Sequence, residues 1–241
     1  MPMKVFAKTH VGMVREINED AYYAPENGEN FCAVADGMGG HNAGEVASTM
    51  AVVTFSELMR KCPLTAENMR RAVECANADI YQRAGTSIQL RGMGTTFVGL
   101  GCDELNVHIA HVGDSRAYLI RNNTIARVTA DHSLVESMVQ QGLITETEAR
   151  FHPKRNVITR ALGTDSSVEV DMIQMKKLPG DVYLLCSDGL SEYVCDQAML
   201  QVTQQNISWK EKLEQLVDMA LQAGGSDNIT AMYAVFEEDQ K

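Results

Sequence analysis

Six short apolar runs rich in β-branched residues punctuate this chain, at positions 31–35, 95–100, 107–112, 117–120, 182–186 and 229–236. Runs of this length and make-up are strands. Two stretches with helical spacing, 44–60 and 66–83, fall together between the first and second of them, and another pair, 196–204 and 209–223, falls just before the last. Strands in runs with helices inserted in pairs do not make the strict alternation of a doubly wound parallel sheet. They predict an α+β layered fold. Residues 134–160 stand apart, with short amphipathic pieces, Pro153 and several basic side chains. This segment is expected to be a small surface subdomain inserted in the sheet. No repeat, low-complexity tract or linker divides the 241 residues, so one domain over 1–241 is expected. A domain of that size buries roughly 70–75% of the surface its unfolded chain exposes.

The formal net charge of -11 makes the chain a poor electrostatic partner for nucleic acid, and no nucleic-acid role is expected. The acidic excess is either a solvated surface or includes carboxylates gathered around cations. Six cysteines are scattered without CxxC spacing, which argues against a zinc site or redox motif and for a reducing compartment. The N-terminus, MPMKVFAKTHVGM, lacks the apolar core of a secretory leader, and no run approaches 18 apolar residues. A cytoplasmic protein with no membrane insertion is the expectation.

The placement of the acids decides between the two readings. Phe-Cys-Ala-Val-Ala runs into Asp36-Gly37, and Val-Tyr-Leu-Leu-Cys-Ser runs into Asp188-Gly189. His-Ile-Ala-His-Val-Gly runs into Asp114-Ser115, and Asp227-Asn228 immediately precedes the last strand. A single Asp-Gly after a strand is more often a hairpin turn. Four carboxylates at strand ends converge if those ends share one rim, and packed together they would repel and take up protons unless a cation intervened. Carboxylate and carbonyl oxygens without Cys or His partners suit Mg²⁺ or Mn²⁺. Glycine after Asp36 lets the backbone approach, so the Gly37 carbonyl is a further candidate ligand. Near the N-terminus, Glu19 and Asp20 are adjacent acids that point to opposite faces if extended, and Arg15 offers a bidentate fork for phosphate. Alone, this segment reads as a surface turn with an i,i+4 ion pair.

Together these segments resemble the metal-dependent PPM, or type 2C, protein phosphatases in their bacterial form. The motifs run along nearly the whole chain: Arg15-x-x-Asn18-Glu19-Asp20, Asp36-Gly37-Met38-Gly39-Gly40-His41, Gly94-Thr95-Thr96, Val112-Gly113-Asp114-Ser115-Arg116, Thr129-x-Asp131-His132-Ser133, Arg160-Ala161-Leu162-Gly163, Ser187-Asp188-Gly189-Leu190 and Asp227-Asn228-Ile229-Thr230. Each is short, and their joint occurrence in order is specific. The resemblance implies a central β-sandwich of two antiparallel sheets flanked by pairs of helices, with 134–160 as a flap beside the active site. It puts Asp36, Asp188 and Asp227 on a first metal and has Asp36 and the Gly37 carbonyl bridge to a second. Asp20 supports that second site, with Glu19 nearby, and Asp114 matches a third, weaker site. Arg15 matches the phosphate-binding arginine. Met38 stands where animal members carry a histidine, leaving His41 or a metal-bound water as the proton donor.

The implied activity is hydrolysis of phosphoserine and phosphothreonine by a water that two Mn²⁺ or Mg²⁺ ions activate, with Arg15 and the metals neutralising the phosphoryl oxygens. The implied partners are phosphorylated proteins and an opposing Ser/Thr kinase, with the phosphatase acting as a monomer. A cysteine phosphatase would need Cys followed six residues later by Arg, and Cys186, for example, has Glu192 there. Two rivals remain: a phosphatase-like binding module without activity, and a phosphohydrolase acting on a small metabolite. The motifs describe phosphate and metals but leave the leaving group open. Gly94-Thr95-Thr96 is expected only to open a core strand, and Asp131-His132-Ser133 either caps a helix or supports the site from behind.

Overall fold

The computed structural model describes residues 2–25, 28–39 and 43–237. In chain order the strands are β1 (Met3–His10), β2 (Asp20–Tyr23), β3 (Phe31–Met38), β4 (Gly94–Thr95), β5 (Phe97–Cys102), β6 (Asn106–Val112), β7 (Arg116–Arg121), β8 (Thr124–Arg127), β9 (Asp171–Lys176), β10 (Val182–Cys186) and β11 (Ile229–Phe236). The helices are α1 (Ala43–Met59), α2 (Ala66–Ala84), α3 (Leu134–Gln140), α4 (Glu146–Arg150), α5 (Asp188–Ser191), α6 (Asp196–Thr203) and α7 (Trp209–Gln222).

The strands form two sheets. One runs β1-β11-β10-β7-β8 and the other β2-β3-β5-β6-β9, with β4 paired to β3. Every pairing among the named strands is antiparallel. Side chains alternate across each strand, so a strand in a sheet covered on both faces contributes to two cores. Cys32 and Val34 of β3 point between the sheets, where they meet Leu185, Met232, Ala234 and Phe236. Phe31, Ala33 and Ala35 point outward onto Phe55 of α1 and Met69 and Val73 of α2. Tyr233 and Val235 of β11 likewise face Leu213, Leu216 and Val217 of α7. The result is the expected β-sandwich between two helix pairs.

The apolar runs and all four long helical stretches lie where the sequence placed them. Four strands carry no such run: β1, β2, β8 and β9, and each is an edge of its sheet. Helix ends follow side-chain caps. Thr65 caps α2, Ser133 caps α3, and Ser208 with Glu211 forms a capping box on α7.

Candidate metal centre

The predicted acids gather on one rim of the sandwich. In the β2–β3 pair Asp20 stands directly opposite Asp36. Strand β3 does not turn at Asp36-Gly37 but continues to Met38, so Asp36 is held by a ladder and not by a hairpin. Gly37 is required there, because a Cβ would lie 2.1 Å from the Gly44 carbonyl oxygen and 2.5 Å from that of Glu19. From the other sheet, β10 ends at Cys186, and the Ser187 N–H donates to the Thr230 carbonyl at 3.1 Å. That bond carries the chain into α5, whose first residue is Asp188. Asp227 precedes β11, and Asp114 follows β6.

The electrostatics follow from this crowding. The Asp36 carboxyl is pushed well above the usual range, first by burial and then by Asp20, Asp188, Asp114 and Asp227. Asp188 is pushed well up too, by burial, then Asp114, Glu192, Asp227 and Asp20. Burial raises Asp20 to about 6 against the opposing hydrogen bonds of Thr230 and Ser187. Burial, and then Asp131, raise Asp114 to about 7. One buried oxygen each of Asp20, Asp114 and Asp188 has no hydrogen-bond partner among the described residues. Buried carboxylate oxygens without donors are costly. The donor set is all oxygen and its charge strongly negative, so it fits a hard divalent cation.

Arg15 does not pair with Glu19. Its Nη2 donates to Asp227 Oδ2 at 2.9 Å, so phosphate capture would require it to share or leave that carboxylate. Glu19 and Asp20 do point apart, as adjacent extended residues must. Glu19 Oε1 accepts from the Gly44 N–H at 3.2 Å, and Asp20 Oδ2 accepts from the Ser187 hydroxyl at 2.8 Å. His41 and Gly40 lie outside the described residues.

Several side chains that hold these acids have no chemistry of their own and so are hard to read from sequence. Buried Asn228 accepts from the Glu19 N–H at 2.8 Å and donates to the carbonyls of Val11 at 2.8 Å and Ile17 at 2.9 Å. It thereby fixes the loop that bears Arg15 beside Asp227. The expectation that Gly94-Thr95-Thr96 only opens a strand is incomplete. The Thr95 hydroxyl donates to the Asp36 carbonyl at 2.8 Å, and the Thr96 N–H does so at 2.9 Å. Nor does Arg116 pair with Asp114. It donates to both oxygens of Asp131, at 3.0 Å from Nε to Oδ1 and 2.6 Å from Nη2 to Oδ2. The Asp131-His132-Ser133 motif divides its work. Ser133 caps α3, while His132 Nδ1 accepts from the Gly113 N–H at 3.0 Å and steadies the loop of Asp114.

His111, His132 and Asp171 also bring ligand atoms within 4.8 Å of one another. A cation already stands there. Arg160 Nη1 lies 2.6 Å from Asp171 Oδ1 and 3.0 Å from His132 Nε2, so a metal would have to displace the guanidinium.

Residues 134–160 fold as α3, α4 and a loop that returns to the sheet. Between this segment and the acidic rim lies a cavity of about 550 Å³, lined by Asp114, Asp188 and Glu192 on one side and Val139, Phe151 and Arg155 on the other. Two ion pairs tie this segment to the body of the protein beside the cavity: Arg155 Nε lies 3.8 Å from Glu192 Oε1, and Arg127 Nη2 of β8 lies 3.0 Å from Glu136 Oε2 of α3.

The protein phosphatase 2C family model matches residues 13–232. The chain belongs to that family. It is 40% identical over 233 residues to the serine/threonine phosphatase stp of Listeria welshimeri, covering 93% of this chain and 92% of the relative. The structure superimposes on the crystal structure of the Mycobacterium tuberculosis serine/threonine phosphatase PstP/Ppp with a TM-score of 0.92 at 36% identity, covering 99% of this chain and 100% of the other. The catalytic domain of PstP, solved in complex with two manganese ions, gives a TM-score of 0.90 at 35% identity over 98% of this chain and 99% of that one. This member of the 2C family is a metal-dependent serine/threonine protein phosphatase, and its fold is the family's sandwich. No helix of the described residues is long and apolar enough to cross a membrane.

Proposed function

We propose that Asp36, Asp188 and Asp227 hold one divalent cation, and that Asp36 and the Gly37 carbonyl share a second, supported by Asp20 with Glu19 nearby. The convergence of these aspartates on one rim, with donor-free buried oxygens on Asp20, Asp114 and Asp188, carries this reading. Mn²⁺ or Mg²⁺ fits the oxygen donors, and a PstP catalytic domain of the same fold is described with two manganese ions. Such a cation pair supplies Lewis-acid activation of the attacking water and neutralises charge on the phosphoryl oxygens.

The chain's own groups do the rest. Arg15, on the loop that Asn228 fixes, offers its fork to the phosphate of phosphoserine or phosphothreonine. Asp114 faces the cavity, where it would hold a third, weaker cation and orient the water that protonates the departing alkoxide. His41 is the alternative proton donor. The segment 134–160 is a flap within a single catalytic domain, and its Arg150, His152, Lys154 and Arg155 meet the substrate protein. An opposing Ser/Thr kinase supplies the phosphorylated substrates. All six cysteines are free, in keeping with a reducing cytoplasm, and we take the enzyme as a monomer.

Asp36→Asn tests the core of this assignment. The variant should keep its circular dichroism spectrum and lose about a hundredfold to a thousandfold in turnover of a phosphopeptide at saturating Mn²⁺, the scale of removing a group that stabilises charge in the transition state. Turnover close to wild type would refute the two-ion assignment.

A further inference from the structure

Asp36 and Asp114 are brought together from strands that are not neighbours. Strand β5 lies between β3 and β6 in the sheet, and Thr96 sits at its mouth, between β4 and β5. From there Thr96 reaches both acids. Its N–H donates to the Asp36 carbonyl at 2.9 Å, and its Oγ1 accepts from the Asp36 N–H at 3.0 Å, so it grips that residue's backbone on both sides. The same Oγ1 lies 2.7 Å from the hydroxyl of Ser115, the residue after Asp114. Thr96 is 1% exposed and Ser115 is fully buried, so water does not substitute for either hydroxyl. The loop is also pressed onto Thr96 by shape. Gly113 adopts φ +104, and a Cβ there would lie 2.6 Å from Thr96 Cβ.

We propose that Thr96 and Ser115 are positioning residues whose paired hydroxyls lock the Asp36 strand to the Asp114 loop, so that the cation-binding and leaving-group ends of the centre keep one fixed geometry. Neither residue touches the reacting atoms. Thr96 acts on both acids, because its hydroxyl serves the Asp36 backbone and Ser115 at once. Ser115 acts on Asp114 alone. Groups that orient metal-binding side chains from behind typically matter 10–100-fold in affinity or rate. The inference rests on the roles proposed above for Asp36 and Asp114.

Three variants separate positioning from packing. Thr96→Val keeps the shape and deletes the hydroxyl, Thr96→Ser keeps the hydroxyl and deletes a methyl, and Ser115→Ala cuts only the link to Asp114. Mn²⁺ affinity is read by titration calorimetry on the purified protein, and kcat is read on a phosphopeptide and on 4-nitrophenyl phosphate. Thr96→Val should weaken Mn²⁺ binding about 10–100-fold, and Thr96→Ser should restore it to within about threefold. Ser115→Ala should keep Mn²⁺ affinity but lose about tenfold more kcat on the phosphopeptide than on the aryl ester, whose phenol leaves without protonation. Unchanged Mn²⁺ affinity in Thr96→Val, or the same weakening in Thr96→Ser, overturns the role of Thr96. Equal kcat losses on both substrates in Ser115→Ala overturn the lock to Asp114. Asp114→Asn, run beside them, keeps the two questions apart. If it too affects both substrates equally, the fault lies in the role given to Asp114, and the Mn²⁺ titrations still decide Thr96. Should Thr96→Val not fold, the Ser115→Ala substrate ratio decides the lock.

Discussion

Replacing Asp114 by asparagine should stabilise the cation-free protein while crippling turnover, and the size of the first effect follows from the structure. The Asp114 side chain is buried, and its carboxyl is raised from 3.8 to about 7 by burial and then by Asp131, with Arg116 opposing. Each tenfold change in proton affinity corresponds to about 1.4 kcal/mol, so the ionised carboxylate carries a penalty of roughly 4 kcal/mol in the fold. The amide is isosteric and uncharged but keeps some of the desolvation cost, so a gain of roughly 2–4 kcal/mol is expected at pH 8. At about 2–4 °C per kcal/mol for a chain of this size, the melting temperature in EDTA should rise by roughly 4–16 °C.

The sign can be checked against pH. A carboxyl whose proton is held more tightly in the folded state costs stability once the unfolded form ionises, above about 4, and the cost is complete above about 7. Cation-free wild type should therefore lose stability on going from pH 4 to pH 8, and Asp114→Asn should lose less. Below pH 4 the two should melt together. Differential scanning calorimetry in EDTA at pH 4, 6 and 8 gives the comparison. A variant that melts below wild type at pH 8, or gains as much at pH 4 as at pH 8, would show that ionised Asp114 does not destabilise the cation-free fold. In the loaded enzyme the same variant should lose about 10–100-fold in kcat on phosphopeptides and less on 4-nitrophenyl phosphate.

Arg15→Ala should raise KM for phosphopeptides about 10–100-fold, the scale of a charge-assisted hydrogen bond, with a smaller fall in kcat and Mn²⁺ affinity preserved by titration calorimetry. A collapse of Mn²⁺ affinity at unchanged KM would assign Arg15 to the acids it neutralises instead. Charge reversal at Lys154 and Arg155, both exposed on the segment 134–160, should shift preference among acidic and neutral phosphopeptides several-fold while sparing 4-nitrophenyl phosphate. Equal effects on both would make these residues structural, acting through the Arg155–Glu192 pair.

The central strands and the long helices were legible because burial on both faces leaves one signature. β3, β5, β6, β7, β10 and β11 all lie inside their sheets and read as continuous apolar runs. The edge strands β1, β2, β8 and β9 are half exposed, so sequences such as MKVFAKTH and DMIQMK mix polar with apolar residues, and their pairing partners alone make them strands. The aspartates were legible for a related reason. A single carboxylate at the mouth of an apolar run usually serves a turn, but several together point to cations.

Residue type and spacing alone carry the layered α+β fold, the acids and the kind of ion they suit. How the acids are held depends on contacts that folding makes. Arg116 goes to Asp131 and not to its near neighbour Asp114, and Arg15 goes to Asp227, 212 positions away. The grip of Thr96 on Asp36 and the bonds of Asn228 to Val11 and Ile17 likewise join segments far apart in the chain. A hydroxyl or an amide looks the same in a sequence whether it faces water or fixes a carboxylate. Its role is set by the partner that folding brings within hydrogen-bonding distance.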